Sequence, residues 1–156
     1  MDTHDESTAR SMNALRSIVR AIGGLSRASS KSVSGAQLFA LRQIAATPGL
    51  TIGELAAQTL ARQSSVSELT ARLADRGYIT RAASAEDARQ VNLTLTAKGR
   101  RAIADSRSTA QERLIAGLQR LSKPHRKELA EALEAWLAAS GFADVPPTMF
   151  FEKQES

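Results

Sequence analysis

The chain has 156 residues, a formal net charge of +5 and no cysteine, and 42% of its residues are hydrophobic and 24% charged. This length suits one domain with its own core and helical extensions, and the composition is typical of a soluble folded protein. Without cysteine there are no disulfides, no thiolate nucleophile and no cysteine-ligated metal. The sequence has no run of the roughly 18 apolar residues that span a bilayer, and its acidic N-terminus is unlike a signal peptide, so we expect a cytoplasmic protein.

Charged residues are unevenly distributed along the chain. Residues 10–42 contain six basic and no acidic residues, and residues 62–101 contain eight basic and four acidic residues. Residues 128–156 contain six acidic residues and one lysine. The basic regions indicate either a phosphate-facing surface or an ordinary solvated surface with uneven charge.

Four helices are predicted in the first half of the chain, mainly from apolar residues that recur every three or four positions. Their predicted ranges are 8–28, 35–46, 51–57 and 63–76. Ser34 is a suitable N-cap for the second helix, and Thr51 and Glu54 have the spacing of a capping box at the third. Gly77 is a suitable end for the fourth helix. The third and fourth helices are so close in sequence that they predict a helix-turn-helix unit.

A two-stranded ribbon is predicted after the helix-turn-helix. Tyr78-Ile79 forms the first strand, residues 91–95 form a strictly alternating second strand, and the polar residues 82–90 form the tip between them. Thr96 then is a suitable cap for one long helix over residues 97–120.

The last predicted helix starts at Ser122, its cap, and ends at Gly141. This helix and the long helix before it have more apolar surface than a small subunit covers, which favours packing against a second copy of the chain. The alternative is packing against the first helix of the same chain. After Gly141 the tail contains Val145, Met149 and three of the four phenylalanines, so we expect it to dock, with a frayed tail as the alternative.

Several short motifs occur in one order along residues 10–140, and together they resemble the MarR family of bacterial transcriptional regulators. The motifs are Gln63-Ser64-Ser65-Val66-Ser67 at the start of the fourth helix, Asp87-Ala88-Arg89 in the wing, Leu95-Thr96-Ala97-Lys98-Gly99 after it, and Leu121-Ser122. The second is similar to the Asp-x-Arg wing signature of the family, and the third to its Leu-Thr-x-x-Gly. Leu60 departs from the usual pattern because helix-turn-helix turns often have glycine there, and Arg62 is a poor cap where serine or threonine is common.

The resemblance implies a homodimer that usually acts as a repressor of transcription. In this family, small aromatic or anionic compounds often bind between the dimerisation and DNA-binding regions and weaken DNA affinity. The expected fold class is mainly α, a winged helix-turn-helix with a small β-ribbon wing plus N- and C-terminal helices that form a dimerisation domain. The expected divisions are an N-terminal dimerisation helix at 1–34, the DNA-binding domain at 35–96, two dimerisation helices at 97–141 and a docked tail at 142–156.

The fourth helix carries short polar side chains near its N-terminus, as a helix that enters the major groove requires. The candidate DNA-binding residues on it are Gln63, Ser64, Ser65, Ser67, Glu68 and Arg72. Glutamine suits adenine, arginine suits guanine, and serine hydroxyls suit phosphate oxygens. A glutamate is repelled by phosphate unless it accepts from a cytosine amine or orients an arginine, so Glu68 is the least certain of the set.

The ribbon and the residues just after it supply a second group of candidate DNA-binding residues. Arg89 is expected to enter the minor groove, where negative potential is concentrated, and Asp87 is expected to hold the Arg89 side chain in place. Arg81 and Lys98 are candidate phosphate contacts. For each of these residues the alternative is an ordinary solvated side chain.

An effector site is expected where the first, second and fifth helices meet, because the basic side chains of Arg16, Arg20 and Arg42 could attract an anionic ligand there. No enzyme, cofactor or metal site is expected. His4 and His125 are far apart in sequence, in a terminus and in the first turn of a charged helix, and neither accompanies a nucleophile or a metal-ligand pattern.

Two other functions fit the same elements. One is a winged-helix module that binds protein without specific DNA recognition, and the other is RNA binding. Both favour exposed aromatic side chains, whereas the segment from Gln63 to Arg89 has Tyr78 as its single aromatic residue. We therefore predict a homodimeric regulator that binds a pseudo-palindromic operator in double-stranded DNA.

Overall fold

A computed structural model of the chain describes residues 3–27, 33–104 and 106–150. Its helices and strands are α1 (Thr3–Arg27), α2 (Gly35–Ala46), α3 (Ile52–Thr59), α4 (Gln63–Asp75), β1 (Ile79–Ala83), β2 (Val91–Leu95), α5 (Ala97–Ala104), α6 (Ala110–Arg120) and α7 (Lys123–Ala139). The predicted mainly α fold with a β-hairpin wing is confirmed. Within the described ranges, no helix is long and apolar enough to cross a membrane.

Helices α2 and α3 begin at the predicted caps. The Ser34 hydroxyl accepts a hydrogen bond from the Gln37 amide at 3.2 Å, and the Gln37 side chain accepts one from the Ser34 amide at 3.1 Å. Thr51 and Glu54 make the same reciprocal pair at 3.2 Å and 2.7 Å. Both are capping boxes, which satisfy amides that a helix start would otherwise leave without partners.

The described core lies in the predicted winged helix-turn-helix domain. The largest fully buried side chains come from α2, α3, α4, β2 and the segment before α3, and they include Leu41, Leu55, Leu69 and Leu93. Val66, Leu69, Thr70 and Leu73 form the buried face of α4, as their spacing predicts. This packing fixes which face of α4 points outward.

The hairpin is longer than predicted and is joined to the body of the domain. The two antiparallel strands pair from Ile79 with Leu95 to Ala83 with Val91. The Leu93 amide and carbonyl also bond to Leu50 and Gly49, at 2.9 Å and 3.0 Å, so the segment before α3 is joined to β2 by an isolated β-bridge. The base of the wing is therefore fixed relative to the helix-turn-helix.

The single long helix predicted over 97–120 is wrong, because α5 ends at Ala104 and α6 begins at Ala110. Thr109 caps α6 and forms a third capping box with Glu112, whose carboxylate accepts from the Thr109 amide at 2.6 Å. The Ser106 hydroxyl donates to the Ile103 carbonyl at 2.7 Å. Serine and threonine side chains compete with the backbone for hydrogen bonds in this way, which favours helix ends over helix continuation.

Arg42 of α2 stabilises this interruption. Its guanidinium donates to the Glu112 carboxylate at 2.8 Å, and to the carbonyl oxygens of Ser106 and Arg107 at 2.7 Å each. These carbonyls lie between the two helices and need donors from elsewhere. We call this arrangement of Arg42, Ser106, Arg107 and Glu112 the arginine clasp.

The first and last helices expose apolar side chains. In α1, Ile22 is the one buried side chain among residues 6–25, and α7 has no buried residue. The tail docks through Met149, which is 4% exposed within the core, while Phe142 and Val145 stay exposed at 57% and 60%. The end of the predicted tail, 151–156, lies outside the described residues.

Candidate nucleic-acid interface

The predicted DNA-binding residues of α4 all lie outside its buried face. Gln63, Ser64 and Glu68 are exposed, and Ser65, Ser67 and Arg72 are half-buried at the sides of the helix. Ser64 and Glu68 are four residues apart and lie opposite the buried leucines, so they are at the centre of the outward face. The structure thus brings the six side chains onto one solvent-facing surface.

The start of α4 differs from the starts of α2, α3, α6 and α7. Those four helices have a serine or threonine cap that accepts a backbone hydrogen bond, whereas Arg62 caps α4 and makes no such bond. The departure noted in the sequence at Arg62 is therefore present in the structure. Amides at an uncapped helix start suit the oxygen atoms of a phosphate group.

Helix α4 ends just before Gly77, as the sequence predicts. Gly77 has φ +75, its amide bonds to Ala74 at 2.9 Å, and the Tyr78 amide bonds to Leu73 at 2.9 Å. These two bonds form a Schellman motif, in which a left-handed residue turns the chain away from the helix axis. The turn leads directly from the candidate reading helix into the wing.

The wing places Arg89 and Arg81 on the surface. Arg89 is exposed in the loop, and Arg81 is exposed in β1 opposite Leu93. The Asp87 carboxylate accepts a hydrogen bond from the backbone amide of Arg89 at 2.9 Å. The bond that the structure gives Asp87 is to the backbone of Arg89, and it shapes the turn that presents Arg89; that Asp87 also holds the Arg89 side chain stays a prediction.

Lys98 has a structural role that the sequence did not indicate. Its ammonium donates to the Arg76 carbonyl at 2.7 Å and lies 4.5 Å from the centre of the Tyr78 ring. The Arg76 guanidinium lies 5.2 Å from the same ring and donates to Gln37 at 3.1 Å. A cation suits the C-terminus of a helix and the face of an aromatic ring, so Lys98 closes α4.

The start of α5 packs tightly against the end of α4. The Thr96 hydroxyl donates to the Gly77 carbonyl at 2.7 Å and accepts from the Gly99 amide at 3.2 Å. A Cβ atom on Gly99 would lie 2.2 Å from the Tyr78 carbonyl oxygen. The threonine and the glycine of the predicted Leu-Thr-x-x-Gly motif therefore act together to bring two helices into contact.

The three arginines predicted to form an effector site are not gathered in one place. Arg16 and Arg20 line an open groove along α1 together with Leu15, Val19 and Gly23. Arg42 does not line this groove, because its guanidinium is held in the arginine clasp. Arg42 and the two α1 arginines therefore have different surroundings in the structure.

A tight turn joins α3 to α4, and α4 leads into a hairpin braced by the segment before α3, so the fold and the exposed polar face define a winged helix-turn-helix protein of the DNA-binding type. A profile of the MarR family matches residues 31–90. An uncharacterised HTH-type transcriptional regulator of Mycobacterium bovis is 34% identical over 109 residues, which are 70% of this chain and 76% of that protein. The chain belongs to the MarR family of transcriptional regulators.

Other relatives and solved structures are also similar to the chain. An HTH-type transcriptional repressor of Mycobacterium bovis is 29% identical over 98 residues, or 63% of this chain and 70% of that one. The PcaV regulator of Streptomyces coelicolor, in complex with its natural ligand, has a TM-score of 0.51 at 20% identity, with 90% of this chain and 97% of PcaV covered. The S. aureus MepR–DNA complex has a TM-score of 0.52 at 22% identity, with 86% and 97% covered. At these identities the two structures show the same fold.

Proposed function

We propose that the protein is a homodimeric repressor that binds a pseudo-palindromic operator and leaves it when a small aromatic or anionic ligand binds. The outward face of α4 carries this proposal, because it combines exposed polar side chains, an uncapped N-terminus and an adjacent wing that exposes Arg81 and Arg89. The M. bovis protein that is 29% identical is named a repressor, the MepR structure contains DNA, and the PcaV structure contains its natural ligand.

In this proposal α4 lies in the major groove and the wing lies over the neighbouring minor groove. Gln63, Ser64, Ser65 and Ser67 would contact base edges and phosphates near the start of the helix. Glu68, at the centre of the face, would accept from a cytosine amine or orient Arg72. Arg89 would enter the minor groove, with Arg81 on a phosphate.

A homodimer accounts for the apolar side chains that α1 and α7 leave exposed. Ile18 and Val19 of α1 are 46% and 56% exposed, and Leu133 and Leu137 of α7 are 49% and 46% exposed. Most soluble oligomers are symmetric, and a two-fold axis through these helices would cover both surfaces at once. The operator would then consist of two half-sites about one helical turn apart.

Ligand release would act at the junction of the two regions. Arg16 and Arg20 offer two cations on one side of α1, next to apolar Leu15 and Val19. Arg42 is a separate target, because an anionic ligand that reached it would have to replace Glu112 in the arginine clasp. Arg42 joins α2 to the segment between α5 and α6, whereas the groove at Arg16 and Arg20 is lined by α1 alone.

The alternative is a winged-helix module that binds protein. Tyr78, the one aromatic residue between Gln63 and Arg89, is 5% exposed and lies under Arg76 and Lys98. Protein interfaces are enriched in exposed aromatic residues, and RNA-binding surfaces use them to stack bases. The buried position of Tyr78 therefore favours double-stranded DNA.

The experiment that tests the proposal is selection of bound sites from random double-stranded DNA with the full-length protein. Enrichment of an inverted repeat with half-sites about one helical turn apart supports the proposal. The enriched duplex is then titrated with a panel of aromatic carboxylates, and at least one should lower DNA affinity in the wild type and less so in R16A/R20A. Weak, salt-sensitive retention without any enriched motif would favour the protein-binding alternative.

A further inference from the structure

Leu60, in the turn between α3 and α4, combines two unfavourable properties. It has φ +54 and ψ +36, and it is the one non-glycine residue with positive φ among the described residues. Its side chain is 73% exposed, more than any other large hydrophobic residue that the structure describes. The left-handed conformation costs an L-residue with a Cβ atom about 1–2 kcal/mol, and glycine avoids this cost.

The backbone geometry at Leu60 is required by the turn. The Leu60 amide donates to the Ala57 carbonyl at 3.3 Å, and the Ala61 amide donates to the Ala56 carbonyl at 3.0 Å. These bonds end α3 and direct the chain into α4. Glycine would make the same bonds, so the turn explains the conformation but not the choice of leucine.

Packing inside the protein does not explain the leucine either. The neighbouring Thr59 is fully buried, and Ala61 packs against the core, whereas the Leu60 side chain lies outside the core and faces solvent. Its position is next to Arg62 and the uncapped start of α4. In a helix-turn-helix the N-terminus of the second helix, here α4, is the end nearest to the bases. The first helix, here α3, crosses the DNA backbone.

We infer that Leu60 is an apolar DNA contact, which packs against deoxyribose carbons or a thymine methyl group at the edge of the major groove. Apolar side chains contact thymine methyl groups in many complexes. A DNA contact would explain why an apolar side chain is exposed here and why the turn has leucine in a strained conformation instead of glycine. Strained residues occur where a function requires them. This inference rests on the proposed role of α4 in reading DNA.

The test measures stability and DNA affinity on the same variants, with the operator obtained by selection. L60G is expected to raise the Tm because it relieves the left-handed strain. It is also expected to weaken operator binding about five- to tenfold, because the contact with DNA would bury about half of the leucine side chain and glycine cannot make that contact. L60N, which tolerates the left-handed region and retains a side chain, is expected to weaken binding similarly. L60M is the matched control, which retains both the strain and the apolar contact and should bind like the wild type.

The outcomes separate this inference from the proposed function. If the wild type enriches an operator and L60G binds it within twofold, Leu60 is not a DNA contact. A Tm of L60G at or below the wild-type value would refute the strain on which the inference depends. The slope of log K against log salt should be the same for L60G and the wild type, because no phosphate contact is removed. If the wild type enriches no sequence, the proposed function itself fails.

A second series identifies the atoms that Leu60 contacts. Replacing each operator thymine with deoxyuracil removes its methyl group and leaves the base pairing unchanged. If one substituted duplex binds the wild type more weakly, and L60G binds that duplex no more weakly than it binds the unsubstituted operator, the contact is with that thymine. Equal wild-type affinity for all the substituted duplexes, together with weaker L60G binding, assigns the contact to deoxyribose.

Discussion

Substituting Gly99 with alanine should separate α5 from the end of α4. The new Cβ atom would lie 2.2 Å from the Tyr78 carbonyl oxygen and 3.0 Å from Leu95 Cδ2. An ordinary contact needs 3.4 Å or more, so the helix start must move by about 1.2 Å, the difference between 3.4 Å and 2.2 Å. The oxygen is a backbone atom, and no side-chain rotation can relieve the contact.

The cost of G99A follows from the bonds that such a movement disturbs. Overpacking costs about 1–3 kcal/mol. Each hydrogen bond lost from Thr96 to Gly77, at 2.7 Å, or from Lys98 to Arg76, at 2.7 Å, adds about 1 kcal/mol. Alanine returns about 1 kcal/mol through its helix propensity. The free energy of unfolding should fall by about 2–4 kcal/mol, and the Tm by roughly 5–15 °C.

Thermal unfolding followed by circular dichroism, at one protein concentration, measures this change. Gly53 in α3 is the matched control, because its Cβ would meet Thr51 Oγ1 at 4.0 Å, an ordinary contact. G53A should leave the Tm unchanged or raise it slightly. A G99A protein as stable as the wild type would show that the start of α5 does not pack against Tyr78 as described.

Three further substitutions test the interface and the dimer. R89A should lower operator affinity about tenfold and reduce the preference for A·T flanks, measured by fluorescence anisotropy; an unchanged preference would exclude minor-groove entry. K98Q should lower the Tm by a few degrees with an unchanged salt slope, because the ammonium closes α4; a slope reduced by about one would instead show a phosphate contact. If the proposed dimer forms, L133E should convert it to a monomer in sedimentation experiments, whereas Q119E, at an exposed polar residue of α6, should not; an L133E dimer would exclude α7 from the interface.

Local sequence signals were sufficient where a helix start or end depends on a few neighbouring residues. Ser34, Thr51 and Ser122 cap the helices they were predicted to cap, and Gly77 and Gly141 both have positive φ just beyond a helix. These motifs act through backbone amides and carbonyls within four residues. Their outcome therefore depends little on the rest of the fold.

The interruption between α5 and α6 was missed although a local signal was present. Thr109 and Glu112 have the same spacing as the capping box at Thr51 and Glu54, but the apolar residues at 103, 110 and 114 have the spacing of one continuous helical stripe. The clasp that stabilises the interruption joins residues 70 positions apart, Arg42 and Glu112. Hydrophobic spacing contains no information about such a pair.

The candidate interface was predictable in its location and less so in its details. The buried residues of α4 have a clear period, so the opposite face could be assigned from the sequence. The bond from Asp87 to a backbone amide and the position of Lys98 over Tyr78 depend on loop geometry and on contacts between separate elements. The left-handed conformation of Leu60 was not predicted, although the sequence showed leucine where glycine is usual.

In a dimer, the arginine clasp would also set the dimensions of the assembled protein. The DNA-binding domain is joined to the terminal helices through a bend rather than a continuous rod, and the Arg42 guanidinium fixes the angle of that bend. In a dimer, this angle would determine the distance between the two copies of α4. That distance must match the helical repeat of DNA for both helices to enter the major groove. We therefore expect changes at Arg42 to alter which operator spacing is preferred while the bases read within each half-site stay the same.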